Sequence, residues 1–146
     1  MAEAKPTAAY LMAVGDHLDE CETDIANLKT ILADRPWSRL ERHAAERTLQ
    51  VLIEGCIGLA KHWARREIGR LTSDAASAFE HLIERGQIGH EVPWRKVVGL
   101  RNALVHDYLD VDPQIIQDVI EQDHYRSLLD FGRQAIAALA QEDGGG

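Results

Sequence analysis

The sequence predicts an all-α bundle of about five helices, and three observations carry that expectation. Aromatic residues make up only 5% and prolines number four, while alanine and leucine are plentiful. Such a composition suits helices better than a β-sandwich or barrel. Hydrophobic residues amount to 45% of 146, enough to bury a core and about the length of one domain. Apolar residues also recur at spacings of three and four over long segments, the signature of helices with one buried stripe.

The first helix is expected from about Thr7 to Ala33, where Leu11, Val14, Leu18, Cys21, Ile25, Leu28 and Leu32 form the seam. Asp34-Arg35-Pro36-Trp37 breaks it. Ser38-Arg39-Leu40-Glu41 is a capping box and starts a second helix that reaches about Ile68. Its stripe is Ala45, Leu49, Leu52, Cys56, Leu59 and Trp63; a second line of small or apolar residues is Ala44, Thr48, Val51 and Gly55. A helix apolar on two faces is central, or touches both a core and another chain. Thr72-Ser73-Asp74 offers caps for a short third helix ending near Gly86, with Ala75, Phe79, Leu82 and Ile83 inward. Pro93 suits the first turn of a fourth, carrying Val97, Leu100 and Leu104 inward. Asp112-Pro113 opens a fifth, with Ile116, Ile120, Leu128, Phe131, Ala135 and Leu139 as its stripe. Residues 1–146 read as one domain, with 1–6 and 141–146 expected to fray.

The chain carries 16 Lys+Arg against 24 Asp+Glu, a net charge of −8. Residues 35–101 nonetheless hold twelve of those basic side chains against eight acids, so this stretch is +4 and the flanks −12. An acidic total disfavours wholesale polyanion binding but leaves room for a local basic cleft, because screening acts over about 8–10 Å at physiological salt. Arg65, Arg66 and Arg70 form the best basic patch, a candidate RNA or partner contact if it is more than a solvated face. No run approaches 18 apolar residues, and the acidic N-terminus lacks a secretory apolar stretch. Two cysteines exclude a disulfide framework, so a reduced, cytoplasmic domain is expected. His17, Cys21 and Asp24 share a helix face, yet Cys21 falls in the apolar seam and is expected to be core, so no metal site is assigned. The three tryptophans are expected to pack rather than to stack on bases. No phosphate-loop, dinucleotide-binding or HExxH pattern occurs.

Residues 99–108, Gly-Leu-Arg-Asn-Ala-Leu-Val-His-Asp-Tyr, concentrate the reactive side chains Arg101, Asn102, His106 and Tyr108. Asn102 and His106 are four apart and share a helix face, whereas Arg101 and His106 stand about 140° apart on an ideal helix. Either the helix distorts near Val105–Tyr108, or two chains complete one site across a two-fold axis. RNA supplies its own nucleophile, the 2′-hydroxyl. Cleaving it takes a group of near-neutral pKa to move a proton, which suits histidine. It also takes a cationic fork on the phosphate, which suits arginine. Asn102 is suited to orienting the base or holding a phosphate oxygen. The bland alternative is a surface ion pair of Arg101 with Asp107 or Asp110 and a histidine at a helix end.

Arg101-Asn102-Ala103-Leu104-Val105-His106-Asp107-Tyr108 resembles the R-x4-H-x-Y motif of the HEPN superfamily, in its HepT subfamily. Glu46-Arg47-Thr48-Leu49-Gln50 and Glu54-Gly55-Cys56-Ile57 look like that family's second helix, and Gly99-Leu100 and Val111-Asp112 also fit around the motif. Gly55 and Trp94-Arg95-Lys96 depart from it. The resemblance covers roughly residues 10–135. It implies an up-and-down helical bundle forming a two-fold homodimer, with Arg101 and His106 in a cleft at the interface. It further implies a metal-independent endoribonuclease toxin of a HEPN/MNT toxin–antitoxin pair, working without a cofactor and leaving 2′,3′-cyclic phosphate ends. The partner implied is an MntA-like nucleotidyltransferase that silences the toxin by transferring AMP to Tyr108. A non-catalytic HEPN module that binds such a nucleotidyltransferase or presents its substrate is the alternative.

Overall fold

The computed structural model describes residues 5–72, 74–106 and 111–141, which form six helices. They are α1 (Ala8–Asp34), α2 (Arg39–Ile68), α3 (Ala75–Glu84), α4 (Trp94–His106), α5 (Pro113–Glu121) and α6 (Tyr125–Ala140). Among the described residues there is no strand, and no helix is long and apolar enough to cross a membrane.

Local chemistry fixes the boundaries. The Thr7 hydroxyl accepts the Tyr10 N–H at 3.0 Å and starts α1. Ser38 and Glu41 form a reciprocal capping box on α2, with bonds of 3.2 and 2.8 Å. Arg35 grips the Glu41 carboxylate with two further bonds of 2.8 Å. Chiefly for that reason, and because the Ser38 N–H also bonds it, the carboxyl titrates at about 2. Gly69, at φ 78°, ends α2 in the left-handed region open to glycine. Asp74 caps α3 by accepting the Ser77 N–H at 2.7 Å, and Asp112 caps α5 with Pro113 in the first turn.

The expectation of a single fifth helix is corrected: the segment is two helices, α5 and α6. Asp123 takes φ 63° and the chain turns through Gln122–His124. No glycine or proline marks the break, and the apolar stripe has the same period on both sides of it. Aspartate tolerates the left-handed region better than most residues, and the Asp123 carboxylate pairs with Lys29 of α1.

One apolar core joins the helices. α2 is its axis and packs against every other helix. All six residues of its expected stripe are buried, while Thr48, Val51 and Gly55 of the second line are half-buried and Ala44 is exposed. α6 lies against α1 where Gly132 faces Leu18; a Cβ on Gly132 would stand 2.7 Å from the Leu18 Cδ1. The three tryptophans are buried, as expected for packing residues. Trp37 donates from Nε1 to the Leu28 carbonyl at 2.8 Å. Trp94 stacks on Phe79 at 3.9 Å between ring centres and meets Phe131 edge-on at 4.9 Å. This cluster anchors the first residue of α4 to α3 and α6, and so sets where the motif helix lies.

Candidate active site on α4

α4 stays α-helical up to His106, the last described residue before 107–110. The distortion expected as one way to join Arg101 and His106 is therefore not found as far as His106. Its inward face is Trp94, Val98 and Leu104, with Val97, Leu100 and Arg101 half-buried beside them. Val97 and Leu100, expected inward, line an apolar groove of about 660 Å3 between α4, α5 and α6, together with Ile115, Val119 and Leu128.

The opposite side of α4 is polar. Arg95, Gly99, Asn102 and His106 fall at positions i, i+4, i+7 and i+11, within about 60° of one another around an ideal helix, and all four are exposed. Arg101 flanks this strip. Its Nε donates to the Asn102 side-chain oxygen at 2.9 Å. That bond orients the guanidinium and leaves its two terminal nitrogens, the edge that suits a phosphate, for another acceptor. Arg101, Asn102, Gly99 and Arg95 line an open cleft of about 360 Å3 whose other wall is the start of α3 at Asp74–Ser77. His106 is not part of that lining. Within one chain, Arg101 and Asn102 are together, Asn102 and His106 share a face, and Arg101 and His106 diverge. Tyr108, Asp107 and Asp110 lie outside the described residues.

The other sequence candidates sit elsewhere. Arg66 donates to the Ala138 carbonyl at 2.7 Å and ties the end of α2 to the end of α6. Arg65 lies near His62, whose pKa is lowered first by burial and then by that charge. Arg70 is exposed beyond Gly69. None of the three lines the cleft beside Arg101. Cys21 is buried and its thiol is pushed up to about 11 by burial and then by Asp24 and Glu20, as suits a core cysteine. Among the described residues no group of three or more His, Cys, Asp or Glu is placed to hold a metal ion. Sequence reasoning missed Arg95 and Gly99 as members of the polar strip. Their spacing from Asn102 and His106 was the available signal.

Comparison with a solved structure bears on the fold, and comparison with family models on the family. A solved structure described as a toxin–antitoxin with AMP-PNP superposes with a TM-score of 0.66 over 88% of this chain and 96% of that one, at 22% identity. No curated protein matches the chain. Residues 18–135, which include Arg101, Asn102 and His106, match the family described as ribonuclease HepT-like. The chain belongs to the HepT-like ribonuclease family.

Proposed function

We propose that this protein is a metal-independent endoribonuclease toxin, active as a two-fold homodimer. The observation that carries the reading is the arrangement on α4: Asn102 orients Arg101, and His106 stands exposed on the same strip as Asn102. The 2′-oxygen of RNA attacks the adjacent phosphorus, and the bond to the 5′-oxygen of the next nucleotide breaks. Arg101 neutralises the charge that builds on the phosphate oxygens. His106 transfers the proton, taken from the 2′-hydroxyl or given to the leaving 5′-oxygen. The products are a 2′,3′-cyclic phosphate and a 5′-hydroxyl. Because a regular helix aims Arg101 and His106 about 140° apart, a second copy of α4 supplies the complementary pair in the dimer.

Control follows from the same motif. A nucleotidyltransferase antitoxin transfers AMP to Tyr108: the phenolic oxygen attacks the α-phosphate of ATP and pyrophosphate leaves. The added phosphate is an acceptor that competes with the RNA phosphate for Arg101. That a structure with this fold is of a toxin–antitoxin with AMP-PNP, an ATP analogue, accords with this partner chemistry.

The test is cleavage of labelled RNA in EDTA by unmodified protein, beside His106→Ala, with product ends analysed. Wild-type cleavage to cyclic phosphate, lost in the variant while the dimer persists, is the expected result. No cleavage by protein shown by mass spectrometry to lack AMP refutes the enzyme and favours the non-catalytic binding module.

A further inference from the structure

Glycine weakens a helix interior relative to alanine, so a glycine there calls for a reason. Two in this chain have an evident one in packing. A Cβ on Gly58 would stand 2.9 Å from the Tyr10 hydroxyl, and one on Gly132 would stand 2.7 Å from Leu18. Cβ atoms on Gly15 and Gly55 would make ordinary contacts at 3.8 and 4.0 Å. Gly99 differs: a Cβ there meets nothing within 4 Å among the described residues. It lies in mid-α4, exposed, between Arg95 and Asn102 on the strip that ends in His106.

The surroundings say what approaches. Gly99 lines the cleft that also holds Arg95 and Arg101, two guanidinium groups against the single carboxylate of Asp74. That carboxylate accepts the Ser77 N–H as the cap of α3. Arg95 is paired with the half-buried Glu80, but its own side chain is largely exposed, and a pair open to solvent on one side contributes little and exchanges for a better acceptor. Arg95 and Arg101 are six residues apart, about 9 Å along the helix and about 120° around it, and both side chains line the one cleft.

We propose that single-stranded RNA crosses α4 at Gly99, its backbone lying against the bare helix there, with Arg95 holding a second phosphate of the strand that Arg101 grips. Arg95 is a binding residue in this arrangement and takes no part in the proton transfers. The inference rests on the ribonuclease reading for the identity of the strand, and its test separates the two.

Binding of a fluorescent, fully 2′-O-methylated 20-nucleotide RNA, which lacks the attacking hydroxyl, is measured by anisotropy across a salt series. Arg95→Gln is expected to weaken binding roughly threefold to tenfold and to reduce the slope of log K against log salt by about 0.7. Gly99→Leu is expected to weaken it at least tenfold, as a rough figure, while raising the melting temperature by about 2–4 °C. Gly15→Ala serves as the matched control and leaves binding unchanged. Full binding by both Arg95→Gln and Gly99→Leu overturns the proposal. So does a fall in sedimentation coefficient for Gly99→Leu, which would assign the bare strip to a second copy of the chain. Cleavage of unmodified RNA is followed in parallel. Its absence with the binding pattern intact refutes the ribonuclease reading and leaves the RNA track standing.

Discussion

Trp94 is the largest of the three buried residues, with Val98 and Leu104, through which the core holds the motif helix, and replacing it with alanine measures its share. Its side chain is 5% exposed, stacked on Phe79 and edge-on to Phe131. A large aromatic side chain buries about 150–250 Å2, which at about 25 cal/mol per Å2 sets an upper bound of about 4–6 kcal/mol. Truncations of this kind in close-packed cores cost about 3–5 kcal/mol. For a chain of this length that lowers the melting temperature by roughly 10 °C. Trp94→Phe keeps a ring against Phe79 and is expected to cost about 1–2 kcal/mol. Urea unfolding at one fixed protein concentration reads both variants, since association would otherwise shift the midpoint. A loss below about 1 kcal/mol for Trp94→Ala would refute the reasoning, because the aromatic cluster would then not be what holds α4.

Other consequences are checked in the same way. Gly132→Ala gains about 1 kcal/mol of helix propensity but forces the buried Leu18 aside at about 1–3 kcal/mol; a net loss is expected, and a double-mutant cycle with Leu18→Ala should show favourable coupling. His62, half-buried against Tyr10 at 5.1 Å between rings, has its pKa lowered by burial and then by Arg65. Its contribution is therefore full above the unfolded value of about 6.5 and is lost as pH falls through the lower folded value; His62→Gln should flatten the stability profile between pH 7 and 5. Glu41, titrating at about 2, contributes fully above its ordinary range near 4.5 and loses that contribution as pH falls towards 2. Glu41→Ala should lower the melting temperature at pH 7 and leave less to lose on acidification.

Much of the fold was legible because its signals are local. Ser38 with Glu41, Asp74 and Asp112-Pro113 act within one turn of chain, and each starts a helix where its chemistry says it should. The stripe of α2 was legible because a 3.6-residue period survives from Ala45 to Trp63, about five turns. The break at Asp123 was not, because a left-handed aspartate without glycine or proline leaves no compositional mark, and its pairing with Lys29 joins segments 94 residues apart. In α4 the sequence located Arg101, Asn102 and His106, and the divergence of Arg101 from His106 followed from helix geometry alone. That Trp94 and Val98 are buried while Val97 and Leu100 line a groove depends on where α3, α5 and α6 lie. Gly99 was visible as a letter. Only the packing shows that nothing in the described chain accounts for it.

Splitting the last segment into α5 and α6 has a further result for how the native state opens. α5 has nine residues and buries Ile116 and Ile120, while α6 buries six residues along sixteen. A nine-residue helix does not persist once detached from its packing. Native-state hydrogen exchange is therefore expected to release the amide protons of α5 by a partial opening at Gln122–His124 that leaves α6 in place, and those of α6 only when the core comes apart. A single unbroken helix would have bound both sets to one event. The apolar groove shares its wall with α5, so such an opening would also uncover Val97 and Leu100 on the back of the motif helix.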